Sequence, residues 1–207
     1  MADIKFDIWW AKLQHENKHV FFGVQTINNM SNQKDHNLMK IKEGDKPFDF
    51  EYRDPKNNEF KLSKLLKHKK IVIYFYPKDF TPGCTTEAEE FTKDYALFEQ
   101  RGIEIIGISP DSNDSHTKFR EKMNIPYMLA SDPNNEITKE YGVYGLKKFM
   151  GKEYFGVTRS TFLVDQSGRI VKIYSSVKPR GHSKEVLEFF KDGWHVHSIA
   201  ESAVSYP

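Results

Sequence analysis

Ile71-Val72-Ile73-Tyr74-Phe75-Tyr76 is an unbroken run of β-branched and aromatic residues, with lysines before it and Pro77 after it. Such a run predicts a strand buried on both faces. Ile103-Glu104-Ile105-Ile106-Gly107-Ile108-Ser109 predicts a second. Between them Ala88, Phe91, Tyr95 and Phe98 recur at helical spacing, and Gly102 stops the pattern where a C-cap glycine belongs. Strand, helix, strand in this order predicts a βαβ unit with parallel strands.

The pattern extends on both sides. Phe48, Phe50 and Tyr52 alternate with charged residues, as in a half-buried strand. Asp54-Pro55-Lys56-Asn57-Asn58 has turn composition, and Glu59 to Leu62 is expected to return antiparallel. Downstream, Asn113, Asp114 or Ser115 can cap a helix carrying Phe119 and Met123 and ended by Ile125-Pro126. Tyr127 to Leu129 leads to Ser131-Asp132-Pro133, and a short helix with Ile137 and Tyr141 closes at Gly142. Ser160 to Asp165, the turn Gln166-Ser167-Gly168 and Arg169 to Tyr174 predict a β-hairpin. Val186, Leu187, Phe189 and Phe190 mark a last helix.

The two ends read differently. In residues 1–39, Phe6, Trp9, Trp10 and Leu13 have the spacing of a two-turn amphipathic helix, and Val20 to Val24 suits a short strand. Asn28 to Asn37 is polar, with linker composition. The extension is expected to pack on its own domain or to be a loosely ordered leader rather than a docking arm, and Met39 stands where a domain start is expected. Residues 192–207 form a tail in which His195 and His197 share one side if extended. With no third ligand nearby, a solvated tail is the better reading than a metal site.

Length and composition suit one soluble domain of residues 40–191 with appendages. Of the 207 residues, 29% are charged and the net charge is only +2, too small to imply nucleic-acid or membrane binding. Lys67-His68-Lys69-Lys70 reads as a solvated turn. No apolar run reaches the length of a membrane span, and the N-terminus lacks the pattern of a signal or transit peptide. A single cysteine allows no intrachain disulfide and no cysteine-based zinc site, and it is compatible with a reducing compartment. A cytoplasmic location is expected, with no cofactor and no metal.

That cysteine, Cys84, falls at the strand-to-helix junction, near the first helical turn. Orphan backbone N–H groups and the dipole at such a turn favour a thiolate, the nucleophilic form. Thr81 can offer its hydroxyl to the sulfur or to an oxygen bound beside it. Pro77 and Pro82 stiffen the approach without supplying a competing N–H, and Gly83 permits close contact. Arg159, just before the hairpin strand, has a fork that could address both a sulfur and an oxygen and cannot deprotonate, although taken alone it reads as a surface salt-bridge arginine. Arg180 is a competitor for that role. Glu87, on the first turn, complements the helix dipole.

Pro77-x-x-x-Thr81-x-x-Cys84 resembles the active-site signature of peroxiredoxins. The longer Tyr-Pro-Lys-Asp-x-Thr-Pro-Gly-Cys-Thr-Thr-Glu wording from Tyr76 to Glu87 is similar to the bacterioferritin comigratory protein, or peroxiredoxin Q, subgroup. Ser131-Asp132-Pro133, Tyr141-Gly142-Val143 and Arg159-Ser160-Thr161-Phe162 extend the match, which runs from about Lys40 to Phe190. The resemblance implies an α/β thioredoxin-like fold with a central mixed β-sheet flanked by helices. It implies reduction of hydrogen peroxide and organic hydroperoxides through a cysteine sulfenic acid, in antioxidant defence and redox homeostasis. It places Pro77, Thr81, Cys84 and Arg159 in the active site, with Glu87 in support.

Two positions depart from the subgroup. Pro47-Phe48 stands where an Ala-Pro pair is usual, which touches packing rather than chemistry. Glu89 stands where many members carry a resolving cysteine. This implies a one-cysteine variant resolved by an external thiol, whether thioredoxin, glutaredoxin or glutathione, acting as a monomer or homodimer. The alternatives are a thioredoxin-like binding or holdase module with an incidental cysteine, and a cysteine hydrolase using His116 or His182 as base.

Overall fold

The computed structural model describes residues 40–53 and 59–192. The expected helix around Trp9 and Trp10, the strand at Val20, the polar linker, the turn at residues 54–58 and the His195/His197 pair lie outside the described residues.

A five-stranded mixed sheet is built around β3 (Lys70–Phe75). The flanking strands are β4 (Ile103–Ser109), β5 (Met128–Ser131), β8 (Ser160–Val164) and β9 (Ile170–Ser175), in the order β5-β4-β3-β8-β9. β4 runs parallel to β3 and to β5, whereas β8 is antiparallel to β3 and to β9. The βαβ unit, β4 and the late hairpin therefore stand where the hydrophobic pattern puts them. The amino edge carries a separate two-stranded pair, β1 (Glu51–Arg53) with β2 (Glu59–Lys61), followed by the single turn α1 (Leu62–Leu65). The first strand is shorter than the alternation predicts. Phe50 and Tyr52 are buried, but Phe48 lies before the ladder and stays exposed.

Both faces of β3 are covered, which is why it reads as a continuous apolar run rather than an alternating one. Ile71, Ile73 and Phe75 point to one core with Ile106, Ile108, Tyr141, Phe162 and Val164. Val72 and Tyr74 point to the other with Ile105, Leu163, Phe91, Phe98 and Cys84. Each fully buried Ile, Val or Phe contributes about 1.5–3 kcal/mol relative to exposure. The second core is sealed by α2 (Pro82–Gln100) and α5 (His182–Asp192). Tyr74 lies between the sheet and α2, stacked on Phe91 at 5.1 Å between centroids. Its ring needs the glycine opposite it: a Cβ on Gly107 would stand 2.6 Å from Tyr74 Cζ.

The remaining elements are α3 (Asn113–Met123), α4 (Glu136–Glu140) and a second hairpin of β6 (Tyr144–Phe149) and β7 (Lys152–Val157). The cap of α3 is Ser112, whose hydroxyl accepts from Ser115 N–H at 3.3 Å, one residue before the expected Asn113 to Ser115. Asn113 already has helical geometry, so the half-turn outside it does the capping. Among the described residues no helix is long and apolar enough to cross a membrane.

Candidate active site

Local chemistry sets the cysteine's place. β3 ends at Phe75, the chain turns through Tyr76 to Phe80, and α2 begins with Thr81 as N-cap, Pro82, Gly83 and Cys84. Pro82 suits the first helical position because its missing N–H would have had no partner there. Cys84 is thus in the first turn, and it is buried, with 2% of its surface exposed.

Arg159 reaches it from the other side of β3. The antiparallel register pairs Phe75 with Ser160, so the residue before Ser160 stands beside the end of β3 from which α2 departs. Seventy-five positions apart in sequence, the two side chains meet: Arg159 Nη2–H donates to Cys84 Sγ at 3.0 Å. Gly83 has room for this crossing, since a Cβ there would stand 3.4 Å from both Arg159 Nη2 and Pro179 Cγ. Arg180 is exposed and lies in the loop before α5, so the arginine at the sulfur is Arg159.

The other fork nitrogen, Nη1, donates to Glu87 Oε2 one turn further along α2. Glu87 therefore does more than complement the helix dipole. Its side chain is 1% exposed, and Oε1 has no hydrogen-bond partner among the described residues. Burial pushes its carboxyl up from 4.5 to about 7, a rise that the charge and hydrogen bond of Arg159 only partly oppose. Burial disfavours the charge on Arg159, but Glu87 and Cys84 outweigh that and hold its pKa above the ordinary value.

A pH dependence of stability follows. Between 4.5 and about 7 the folded chain keeps a proton on Glu87 that the unfolded chain has released. Protonation thus favours folding below 4.5, and this contribution is lost as pH rises through about 7. Glu87→Gln cannot ionise and still presents an amide oxygen to Arg159. Its melting temperature should fall less than the native protein's between about pH 5 and about pH 8; equal slopes would remove Glu87 from the explanation.

Thr81 is engaged within the turn itself. Its hydroxyl donates to Lys78 carbonyl at 3.1 Å rather than to the sulfur, because the turn at Phe80 brings that carbonyl within reach of the single hydroxyl proton. Pro77 is exposed at the start of the same turn. Glu89 is exposed and on a different side of α2 from buried Glu87 and Ala88. His116 is bound to Asp79 and His182 to Thr161 and Glu185, so both candidate hydrolase bases have other partners.

A cysteine in the first turn of a helix, beside a strand end and under an arginine fork, is an arrangement suited to thiolate chemistry. The sequence profile of the AhpC/TSA family matches residues 44–173. Peroxiredoxin Bcp of Bacillus subtilis is 46% identical over 154 residues, which are 74% of this chain and 98% of that relative. A putative peroxiredoxin bcp of Helicobacter pylori is 39% identical over 151 residues, 73% of this chain and 99% of that one. The solved bacterioferritin comigratory protein of Xanthomonas campestris superposes with a TM-score of 0.67 at 33% identity, covering 75% of this chain and 99% of its own. The chain belongs to the AhpC/TSA family, within its Bcp and peroxiredoxin Q branch, and is a thiol-dependent peroxidase. Proteins of this family act on peroxides with thiol reductants.

Proposed function

We propose that Cys84 is the peroxidatic nucleophile, that Arg159 and Thr81 support its reaction, and that an external thiol completes the cycle. The observation that carries this is the 3.0 Å bond from Arg159 Nη2 to Cys84 Sγ. The Cys84 thiolate attacks the terminal oxygen of a hydroperoxide, forming an S–O bond as the O–O bond breaks. The leaving alkoxide or hydroxide takes a proton to become alcohol or water, and the sulfur is left as sulfenic acid. Negative charge moves from sulfur to the leaving oxygen, and a fork already at the sulfur is placed to follow it. Thr81, one turn before Cys84, would orient the peroxide by releasing Lys78 carbonyl and donating to an oxygen. Pro77 shapes the mouth of the turn, and Glu87 holds the arginine in plane.

A first external thiol then displaces water from the sulfenic acid to give a mixed disulfide. A second thiol releases Cys84 as thiol and leaves as the oxidised reductant. Thioredoxin, glutaredoxin and glutathione all supply that chemistry. We assign catalysis to residues 40–191 and the protein to the cytoplasm, where a lone thiol is kept reduced.

Resolution is tested directly. After one equivalent of peroxide, non-reducing denaturing electrophoresis should show a predominantly monomeric band, since position 89 is Glu and the chain holds one cysteine. Excess peroxide should carry Cys84 on to the sulfinic state. A quantitative dimer band would mean that two copies resolve each other.

A further inference from the structure

The turn that delivers Cys84 to its helix contains Phe80, whose φ is 60°. A bulky residue in the left-handed region is strained and persists only where its surroundings dictate it. Phe80 itself is half out in solvent, with an edge-to-face contact to Phe119 at 5.0 Å between centroids and Lys122 Nζ 5.7 Å from its ring centroid. Its neighbour supplies the constraint. Asp79 has a fully buried side chain that accepts three hydrogen bonds: Tyr76 O–H on Oδ1 at 2.8 Å, and Ser115 O–H at 2.7 Å and His116 Nδ1–H at 2.9 Å on Oδ2. Its backbone N–H donates to Asp111 Oδ2 at 2.8 Å, and Ser109 O–H donates to that same oxygen at 2.8 Å.

These bonds tie one loop to two other elements. Ser115 and His116 lie in the first turn of α3, where the helix dipole also favours a carboxylate. Ser109 is the last residue of β4, and Asp111 stands two positions on. Burial alone would push the Asp79 carboxyl up, but the bonds from His116, Ser115 and Tyr76 outweigh it and hold it below its ordinary value. The histidine is as enclosed as the acid, with 1% exposure each, and its Nε2 has no hydrogen-bond partner among the described residues. A buried imidazole with one nitrogen unpaired is an expensive way to fill space. Thr81 follows Phe80 directly, and Cys84 stands one turn later, so any rotation of the 77–80 turn moves the sulfur relative to Arg159.

We propose that Asp79 and His116 are positioning residues: a buried clamp between the turn before α2 and the start of α3 that aims Cys84 at the Arg159 fork and at the peroxide. This rests on the reading of Cys84 as the attacking atom. The clamp's hydrogen bonds join Asp79 to Tyr76, Ser115, His116 and Asp111 rather than to the sulfur. A misplacement of about 1 Å in a reacting pair costs up to about a hundredfold in rate, so losing the clamp should slow the peroxide step specifically.

The test uses the full-length reduced protein and two probes of Cys84. Stopped-flow mixing with hydrogen peroxide reads the aimed reaction, and alkylation by iodoacetamide reads plain access to the thiol. His116→Leu should lower the peroxide rate constant by about tenfold to a hundredfold while changing alkylation by less than about threefold. His116→Asn, whose amide can donate from near the Nδ1 position, should recover most of the rate. Asp79→Asn and Ser115→Ala give the same readings if the leucine variant fails to fold, with the serine change the milder. A peroxide rate for His116→Leu within about twofold of native overturns the clamp. So does a parallel change in both probes, or an asparagine variant as slow as the leucine one. Failure of the native protein itself to form sulfenic acid at Cys84 would overturn the parent reading as well, so the two failures are told apart.

Discussion

Cys84→Ser is expected to bring peroxide consumption down to the uncatalysed background while leaving the protein folded. The chain has one cysteine, so no second thiol can form the sulfenic acid, and a serine hydroxyl cannot replace a thiolate at neutral pH. The fold should survive because serine is close in size and its buried hydroxyl inherits a donor, Arg159 Nη2, 3.0 Å from the sulfur's position. A paired buried hydroxyl is near neutral in net terms, whereas an unpaired one costs about 1–3 kcal/mol. Circular dichroism and a thermal melt establish the fold, and a peroxide electrode establishes the loss. Undiminished turnover in a folded variant would remove Cys84 from the chemistry altogether.

Arg159→Met is expected to slow sulfenic acid formation by about a hundredfold to a thousandfold, the range for losing one well-aimed donor. It also strips Glu87 of its partner, and the melt should record this. Removing one member of a buried ion pair costs about 3–5 kcal/mol when the survivor stays charged. Glu87 escapes part of that cost by taking a proton, because burial has already pushed its carboxyl up to about 7. The single variant should thus be destabilised more above pH 7 than below it. Adding Glu87→Gln should recover stability without recovering rate, which separates the arginine's catalytic part from its structural one. Arg180→Met should leave the rate unchanged; a fall there, with Arg159→Met active, would move the function from Arg159 to Arg180.

The sequence spoke most clearly where burial is complete. β4 has the bounds its apolar run predicts, and Cys84 falls in the first turn of α2 because Thr81 and Pro82 are helix-start residues. What escaped was set by turns and by distance. The β6–β7 hairpin leaves little signal in the sequence, because its turn is Met150-Gly151, both with positive φ. That geometry usually announces itself as Asn-Gly, and lysines interrupt the alternation on either side. The strand expected from Phe48 is cut to three residues because the ladder begins only at Glu51. The partners of Glu87 and Asp79 are hidden for a different reason. Each lies within the recognisable stretch, but their partners stand 72 and 37 positions away, and only the sheet register and the packing of α3 bring them together. The hydroxyl of Thr81 is plain in the sequence, yet which acceptor its proton chooses depends on the left-handed turn at Phe80.

The most direct measurement mixes the reduced protein with one equivalent of hydrogen peroxide in the absence of any other thiol, then traps and weighs the product. The expected result is rapid loss of the free thiol and a mass increase of one oxygen on the peptide carrying Cys84, captured by a sulfenic-acid reagent. Peroxide consumed while that peptide keeps its original mass, or a Cys84 thiol that persists unreacted, would contradict it.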